Sequence, residues 1–194
     1  MKKLLSLLFT ASVLSCSYTL INYDLSLSEV ERPADFTERY GKPVIHKFSE
    51  NDTTKYQFED SLIRITFTAN TKQFEFILEN KTEHSIKVPW DEAAIIGGNG
   101  ASMRVIHSGV KYIDKEKPQS PSVIAKNSHK FDLLCPVDNI SFSGSLGWMI
   151  APLITKADIG QTVQVLLPIE INGIINEYLF RFKVNDVLVK EMYY

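Results

Sequence analysis

Apolar and polar residues alternate along most of the chain from Lys55 onward. The alternation is clearest at positions 63–68 and 74–79, where aliphatic or phenylalanine residues occupy every second position. A period of two is typical of β-strands that bury one face. Shorter apolar segments follow at 86–90, 103–105, 110–113, 123–124 and 131–134. The pattern predicts an all-β, antiparallel domain built from many short strands.

Turn residues separate these segments and support the same fold class. Asn172-Gly173 lies between two alternating segments, 163–171 and 178–184, and tolerates the positive φ angles of a type I′ turn. Pro168 predicts that the first strand of this hairpin is at an edge or bulged there, because proline has no N–H to donate. Short strands with a turn every roughly 8–12 residues predict an antiparallel β-sandwich.

The remaining chain divides into a leader and a connecting segment. Residues 4–14 are mostly apolar and follow Lys2 and Lys3, but a bilayer-spanning helix needs about 20 residues. The pattern predicts a cleaved signal peptide over 1–15. Residues 16–54 contain Pro33, Pro43 and scattered charges without a sustained period, which predicts a tether that docks in part on the domain at 55–194.

The end of the leader, Val13-Leu14-Ser15-Cys16, resembles the lipobox of bacterial lipoproteins. That resemblance implies cleavage before Cys16, acylation of Cys16 with palmitate-like chains, and attachment to a membrane through the N-terminal lipid. Ser17 replaces the aspartate that marks inner-membrane retention in enterobacteria, so the resemblance implies the outer membrane. An ordinary cleaved signal peptide that ends near a cysteine is the alternative.

A second resemblance concerns the domain itself. The pattern Phe76-x-Leu78-x-Asn80-x-Thr82 with Ile86-x-Val88-x-Trp90, followed by a glycine-rich loop, resembles early strands of immunoglobulin-like domains in bacterial envelope lipoproteins. The closing Tyr178-x-Phe180-x-Phe182-x-Val184 is similar to the same domains. The resemblance spans about residues 60 to 185 and implies an immunoglobulin-like β-sandwich. It carries over no functional residue.

Charge and cysteine content restrict the function further. The chain has 21 basic and 23 acidic residues, and loss of Lys2 and Lys3 makes it more acidic, which argues against a nucleic-acid partner. With Cys16 acylated, Cys135 in an apolar segment is predicted to be a small buried hydrophobe. A disulfide between the two cysteines follows only if the lipobox interpretation is wrong.

No pattern predicts a cofactor, a metal or a catalytic residue. The histidines at 46, 84, 107 and 129 lack the short spacings of common metal sites. Ser143-Gly144-Ser145-Leu146-Gly147 nearly matches a nucleophile elbow, but an elbow needs a following helix. An envelope hydrolase or metal-dependent enzyme is kept as an alternative, and convergence of His107, Asp91 and Ser145 would favour it.

The leading hypothesis is a non-enzymatic module that binds an envelope protein or a glycan, or supports an assembly, through its loops. The two longest irregular segments, 91–102 and 110–122, supply the candidate binding residues: Asp91, Glu92 and Asn99 in the first, Tyr112 and Lys115 in the second. Trp148 is expected in the core rather than in recognition. A purely structural spacer is a third hypothesis, which predicts no exposed aromatic patch.

Overall fold

The structure, a computed structural model, describes residues 17–32 and 40–193. Within them the chain forms fourteen strands, and all pairings are antiparallel. The strands are β1 (Ser17–Glu31), β2 (Val44–Glu50), β3 (Thr53–Glu59), β4 (Ile63–Ala69), β5 (Phe74–Asn80), β6 (Ile86–Val88), β7 (Ala94–Ile96), β8 (Ser102–Ile106), β9 (Ser122–Ile124), β10 (His129–Pro136), β11 (Ile140–Ser143), β12 (Gly147–Ile150), β13 (Thr162–Ile171) and β14 (Ile174–Tyr193). The predicted all-β antiparallel class is confirmed. Across these described ranges, no helix has the length and apolarity needed to cross a membrane.

Twelve of the strands form one sheet that is nearly closed on itself. Its main order is β1-β14-β13-β7-β8-β10-β5-β4-β3-β2, with β6 beside β13 and β9 beside β6. Side chains join the two edge strands, because Lys47 on β2 donates to Asp24 Oδ1 at 2.7 Å and to the Leu25 carbonyl at 2.8 Å. The Leu25 N–H also donates to Tyr56 Oη at 3.3 Å. The result is a barrel-like sheet whose interior holds the core.

Phenylalanine side chains fill the centre of that core. Phe58, Phe67, Phe180 and Phe182 are fully buried, each from the inward face of an alternating strand. The Phe67 ring meets those of Phe180 and Phe182 edge-on, with centroids 4.9 and 5.3 Å apart. Such aromatic pairs stabilise the fold by about 0.5–1.5 kcal/mol beyond the area they bury. This packing therefore stabilises the sheet from which the loops extend.

The outward face of β3, β4 and β5 carries an ionic network. Glu59 accepts hydrogen bonds from Arg64 at 2.7 and 3.0 Å and from Lys81 at 2.7 Å. The hydrogen bonds from Arg64, and then that from Lys81, lower the pKa of Glu59 to about 2. Arg64 also donates to Glu79 on β5 at 2.8 Å, so the network ties three neighbouring strands together.

The predicted hairpin is present, and the strand pairing explains how the sheet accommodates Pro168. Asn172 and Gly173 have φ angles of 53° and 75°, as a type I′ turn requires, and Ile171 pairs with Ile174. Pro168 lies inside the sheet, paired with Glu177 on β14. On its other side β7 pairs with β13 only at 164–166 and β6 only at 170–171, so the proline occupies the gap between them.

The structure differs from the tether expected over 16–54. Ser17–Glu31 is a fifteen-residue strand paired with β14, and Val44–Glu50 pairs with β3. Tyr23, Leu25 and Leu27 are buried in the core. Apolar residues alternate at Ile21, Tyr23, Leu25 and Leu27, and the register shift at Leu27/Glu29 ends this short period. Cys16 and the signal peptide lie outside the described residues.

A smaller hydrophobic cluster lies beside β10 and supports the β11–β12 hairpin. It consists of Ile106, Cys135, Val137 and Ile140. Cys135 is a free thiol that is 1% exposed, so the predicted buried hydrophobe is confirmed. Burial raises the pKa of this thiol to about 11. The expected strand at 110–113 is absent there, because Tyr112–Asp114 is a 3-10 helix packed over the same cluster.

Candidate functional site

The two loops that carry the predicted binding residues are joined through one arginine. Arg104 on β8 donates to Asp91 Oδ1 at 2.6 Å and to the carbonyls of Lys115 and Lys117 at 3.2 and 2.6 Å. Asp91 Oδ2 accepts the Gln119 N–H at 3.1 Å. The hydrogen bond from Arg104 lowers the pKa of Asp91 despite partial burial. Asp91 therefore serves as a brace between the loops.

Lys115 also makes hydrogen bonds that stabilise the backbone of a neighbouring segment. Its Nζ donates to the carbonyls of Val137 and Ile140, both at 2.9 Å, and its side chain is only 21% exposed. Val137 is the first residue of the 3-10 helix Val137–Asn139, and Ile140 follows that helix as the first residue of β11. Lys115 therefore makes structural contacts, because its charge is directed at the backbone. Its predicted role in binding stays a prediction.

The other two candidates of the first loop face solvent away from this brace. Glu92 is exposed at the end of the 3-10 helix Trp90–Glu92. Asn99 is exposed in the β7–β8 turn, where its Oδ1 accepts the Ala101 N–H at 3.0 Å. This hydrogen bond stabilises the β7–β8 turn, so the observed role of the Asn99 side chain is confined to its own turn. Neither residue is joined to Tyr112 by a contact in the described chain.

Tyr112 belongs to an exposed apolar surface that we term the apolar patch. Its other members are Ile113, Phe142 and Trp148, which are 76%, 61% and 40% exposed. The Trp148 ring contacts Phe142 and Tyr112 with centroids 5.3 and 5.9 Å apart. The expected core burial of Trp148 is wrong, because β12 belongs to a separate two-stranded sheet outside the main core.

The β11–β12 hairpin holds the patch away from the main sheet. Phe142 pairs with Trp148 across the hairpin, and Ile140 with Ile150 two residues nearer its base. Alternation places both pairs on one face, so the apolar surface continues from the small buried cluster to the hairpin tip. This surface is larger than the scattered apolar exposure that needs no explanation.

The turn of this hairpin contains the serine of the near-elbow motif. Gly144, Ser145 and Leu146 form a three-residue loop, in which the Leu146 N–H donates to the Ser143 carbonyl at 2.8 Å. Gly147 then adopts a φ of 74°, which completes a type I turn with a bulge. Ser145 is exposed at the hairpin tip and is followed by a strand. The motif is therefore a hairpin turn.

A groove of about 480 Å³ lies next to the patch. Val110 and Lys111 line this groove and also adjoin Tyr112, Ile113 and Trp148 of the patch. One wall is His107, whose ring stacks on Trp90 at 4.3 Å with the planes 6° apart. His107 Nδ1 lies 3.5 Å from Asp132 Oδ2, and both atoms are buried without a hydrogen bond in the described chain. Lys130 Nζ makes an ion-pair contact with the same oxygen at 3.2 Å.

Asp132 is a buried acid that remains easy to ionise. Its Oδ1 accepts the N–H groups of Ser108 and Leu133 at 2.8 and 2.9 Å. Burial alone would raise its pKa, but the interaction with His107 and these two backbone donors outweigh burial and lower it. His107 therefore faces a carboxylate at 3.5 Å, while its stacking on Trp90 sets the plane of the imidazole.

The convergence of His107, Asp91 and Ser145 that would favour an enzyme is not observed. His107 is beside Asp132, Asp91 is held by Arg104, and Ser145 lies in the hairpin turn. His107 and Asp91 share only Gln119, which accepts the His107 N–H through Oε1 at 3.2 Å. In the described ranges no three His, Cys, Asp or Glu side chains lie close enough to hold a metal ion.

Sequence reasoning missed Arg104, Asp132 and Phe142. Asp132 interrupts the apolar segment 131–134, and a lone carboxylate in such a segment signals a buried acid with local partners. Phe142 alternates with Ile140, which indicates a strand, but its exposure depends on a hairpin that leaves the main sheet. Arg104 gives no sequence signal, because its three acceptors are set by tertiary structure.

Comparison of the chain with protein-family models, with curated proteins and with solved structures yielded no significant match.

Proposed function

We propose that the protein is a non-enzymatic binding module of a bacterial envelope, attached to the outer membrane by a lipid on Cys16. The observation that carries the binding role is the apolar patch at the end of the β11–β12 hairpin. Large apolar side chains that cluster on an exposed hairpin mark interaction surfaces in soluble domains. Trp, Tyr and Phe are also the residue types most enriched in the centres of binding interfaces.

The chemistry of the patch favours a protein partner over a glycan. Ile113 is its most exposed member, at 76%, and is aliphatic. Sugar rings stack on aromatic faces, whereas aliphatic side chains are buried by apolar protein surface. Lys111 lies at the edge of the patch and is exposed, which suits an acidic rim on the partner. A spacer domain has no need of such a surface.

A paired substitution tests the binding role. The double variant Phe142→Ser, Trp148→Ser is compared with wild type and with Val123→Ser, which alters a residue 62% exposed on β9. Proteins that co-purify from envelope extracts are quantified by mass spectrometry. We expect one or more proteins to be lost with the double variant and kept with the control. Identical sets for all three proteins would contradict a binding role for the patch.

The lipid anchor is tested separately, by the intact mass of the protein from the membrane fraction. We expect a chain that starts at Cys16 and carries acyl groups, and a Cys16→Ser variant that leaves the membrane fraction. The lipobox resemblance is the support for this part of the proposal. An unmodified mass in the soluble fraction would contradict it. An immunoglobulin-like β-sandwich is proposed on the strand-pattern resemblance alone, and an experimental structure tests it.

The His107–Asp132 pair supports a second candidate function, an envelope hydrolase that uses the groove. A carboxylate that orients an imidazole is a recurrent part of general-base catalysis. The groove also places exposed Lys111 and Lys117 near His107. Turnover of ester or peptide substrates that His107→Gln abolishes, with the fold unchanged by circular dichroism, would favour this candidate. Turnover that survives the substitution would exclude it.

A further inference from the structure

The apolar patch and the groove beside it form one continuous surface. Tyr112, Ile113 and Trp148 surround a hollow of about 510 Å³, and Val110 and Lys111 complete its rim. The same two residues line the groove of about 480 Å³. A chain segment bound to the patch therefore passes over Lys111 as it enters the groove.

The groove carries an excess of positive charge. Two lysines, Lys111 and Lys117, line it, and Asp114 is the one carboxylate among the described residues that do so. Lys117 Nζ lies 2.7 Å from Asp114 Oδ1. The hydrogen bond from Lys117, together with the charges of both lysines, lowers the pKa of Asp114. The pairing of Lys117 with Asp114 leaves the ammonium group of the exposed Lys111 available to an anion.

Acidic side chains near the groove already have cationic partners, which weakens their repulsion of an incoming anion. The pairs are Asp91–Arg104, Glu116–Lys115 and Asp132–Lys130, with N to O distances of 2.6, 3.5 and 3.2 Å. Asp132 is also buried, with the His107 ring between it and the groove. The charge of Lys111 therefore makes the groove complementary to an anionic group.

Hydrogen bonds hold the wall of the groove in place before a partner binds. Arg104 donates to two carbonyls of the segment 115–117, at 3.2 and 2.6 Å. Gln119, which is 8% exposed, donates from Nε2 to a carbonyl of β8 at 2.8 Å. A surface that is ordered in advance loses little conformational entropy on binding. Ser108 and Ser120 are exposed along this wall and offer hydroxyl groups to the backbone of a bound segment.

We propose that the groove takes an acidic side chain of the protein that binds the apolar patch. The partner then presents an extended segment in which a bulky apolar residue lies on Tyr112 and Trp148 and a nearby aspartate or glutamate pairs with Lys111. This inference rests on the proposed binding role of the patch and deepens it. Because Lys111 is exposed, the ion pair contributes more to the choice of partner and to the rate of association than to affinity.

Photo-crosslinking from the groove identifies the bound segment. A benzoylphenylalanine replaces Ser120, which is exposed in the groove, in the full chain in living cells, and mass spectrometry identifies the crosslinked peptide. That peptide is then synthesised, and its binding to the purified full chain is measured by fluorescence anisotropy. The variants compared are Lys111→Glu, Lys111→Arg and the control Lys126→Glu, which reverses a charge on a lysine that is 62% exposed and outside the groove.

We expect the crosslinked peptide to contain an aspartate or glutamate close to an apolar residue. Lys111→Glu should weaken its binding at least about tenfold, whereas Lys111→Arg and Lys126→Glu should bind as wild type does. A crosslinked peptide without an acidic residue, or equal binding by Lys111→Glu and wild type, would overturn the inference and leave the patch its binding role. Crosslinks from position 142 of the patch but none from position 120 would have the same meaning. Crosslinks from neither position would overturn both proposals.

Discussion

Replacing Lys115 by methionine separates a structural role from a binding role at a residue that the sequence assigned to binding because it lies in a long irregular segment. The substitution keeps the length and apolar stem of the side chain and removes the ammonium group. That group donates to the Val137 and Ile140 carbonyls at 2.9 Å each. Both of these residues are buried, at 2% exposure, so water replaces the lost donor only in part.

The expected loss follows from these contacts. A hydrogen bond from a charged donor contributes about 1.5–3 kcal/mol, and Lys115 makes two. Because its side chain is 21% exposed, water replaces part of the interaction, and we expect the free energy of unfolding to fall by about 2 kcal/mol. In a chain of this size 1 kcal/mol shifts the Tm by about 2–4 °C, which gives a decrease of about 4–8 °C.

The assay is urea denaturation followed by tryptophan fluorescence, with thermal unfolding as a second measure. Lys117→Met is the matched control, because Lys117 is 72% exposed and its ammonium pairs only with Asp114 among the described side chains. We expect the control to lie within about 0.5 kcal/mol of wild type. Equal stability of the two variants would refute the structural assignment of Lys115.

Three further predictions concern packing, pH and thiol reactivity. Gly98→Ala places a Cβ 2.6 Å from Asp158 Oδ1 and should lower the free energy of unfolding by about 1–3 kcal/mol. The control Gly144→Ala has open space around the new Cβ and should leave the free energy of unfolding unchanged. Equal melting curves for the two variants would contradict this prediction. The pKa of Glu59 lies below that of an unfolded glutamate, about 4.3, so its stabilising effect is complete above that value and is lost as the pH falls toward about 2. Glu59→Gln should therefore be less stable than wild type at neutral pH and equally stable in acid. A difference in urea midpoint between the two proteins that stays constant with pH would contradict the stabilising role of the network. Cys135 should react with a thiol reagent only after unfolding, and rapid labelling of the native chain would show that it is accessible.

The strands that alternate without interruption were predictable, and those with bulges were not. β4 and β5 cover the segments in which every second residue is apolar, and the Asn172-Gly173 turn defines its hairpin through backbone conformation alone. β1 escaped prediction because its alternation is short, from Ile21 to Leu27, and ends at the register shift between Leu27 and Glu29. Its partner, β14, is far away in sequence, from Glu31 paired with Leu179 to Ser17 paired with Tyr193, and no local pattern encodes such a pairing.

The sequence predicted where the candidate site lies better than it predicted what the individual side chains do. Composition and irregularity pointed to the 110–122 segment, and Tyr112 does lie on an exposed apolar surface. The functions of individual charges depend on distant partners: Lys115 reaches two carbonyls of another loop, and Asp91 pairs with Arg104 on β8. Trp148 was assigned to the core because its apolar neighbours suggested burial, but a hairpin outside the main sheet exposes it.

The most direct measurement of the binding role is photo-crosslinking in the living cell. A benzoylphenylalanine replaces Phe142, which is 61% exposed on the apolar patch, in the full chain at its natural expression level. The same amino acid replaces Val123 in a control. We predict a discrete crosslinked product at position 142 that is absent at position 123. No product at 142, or the same products at both positions, would contradict a specific partner for the patch.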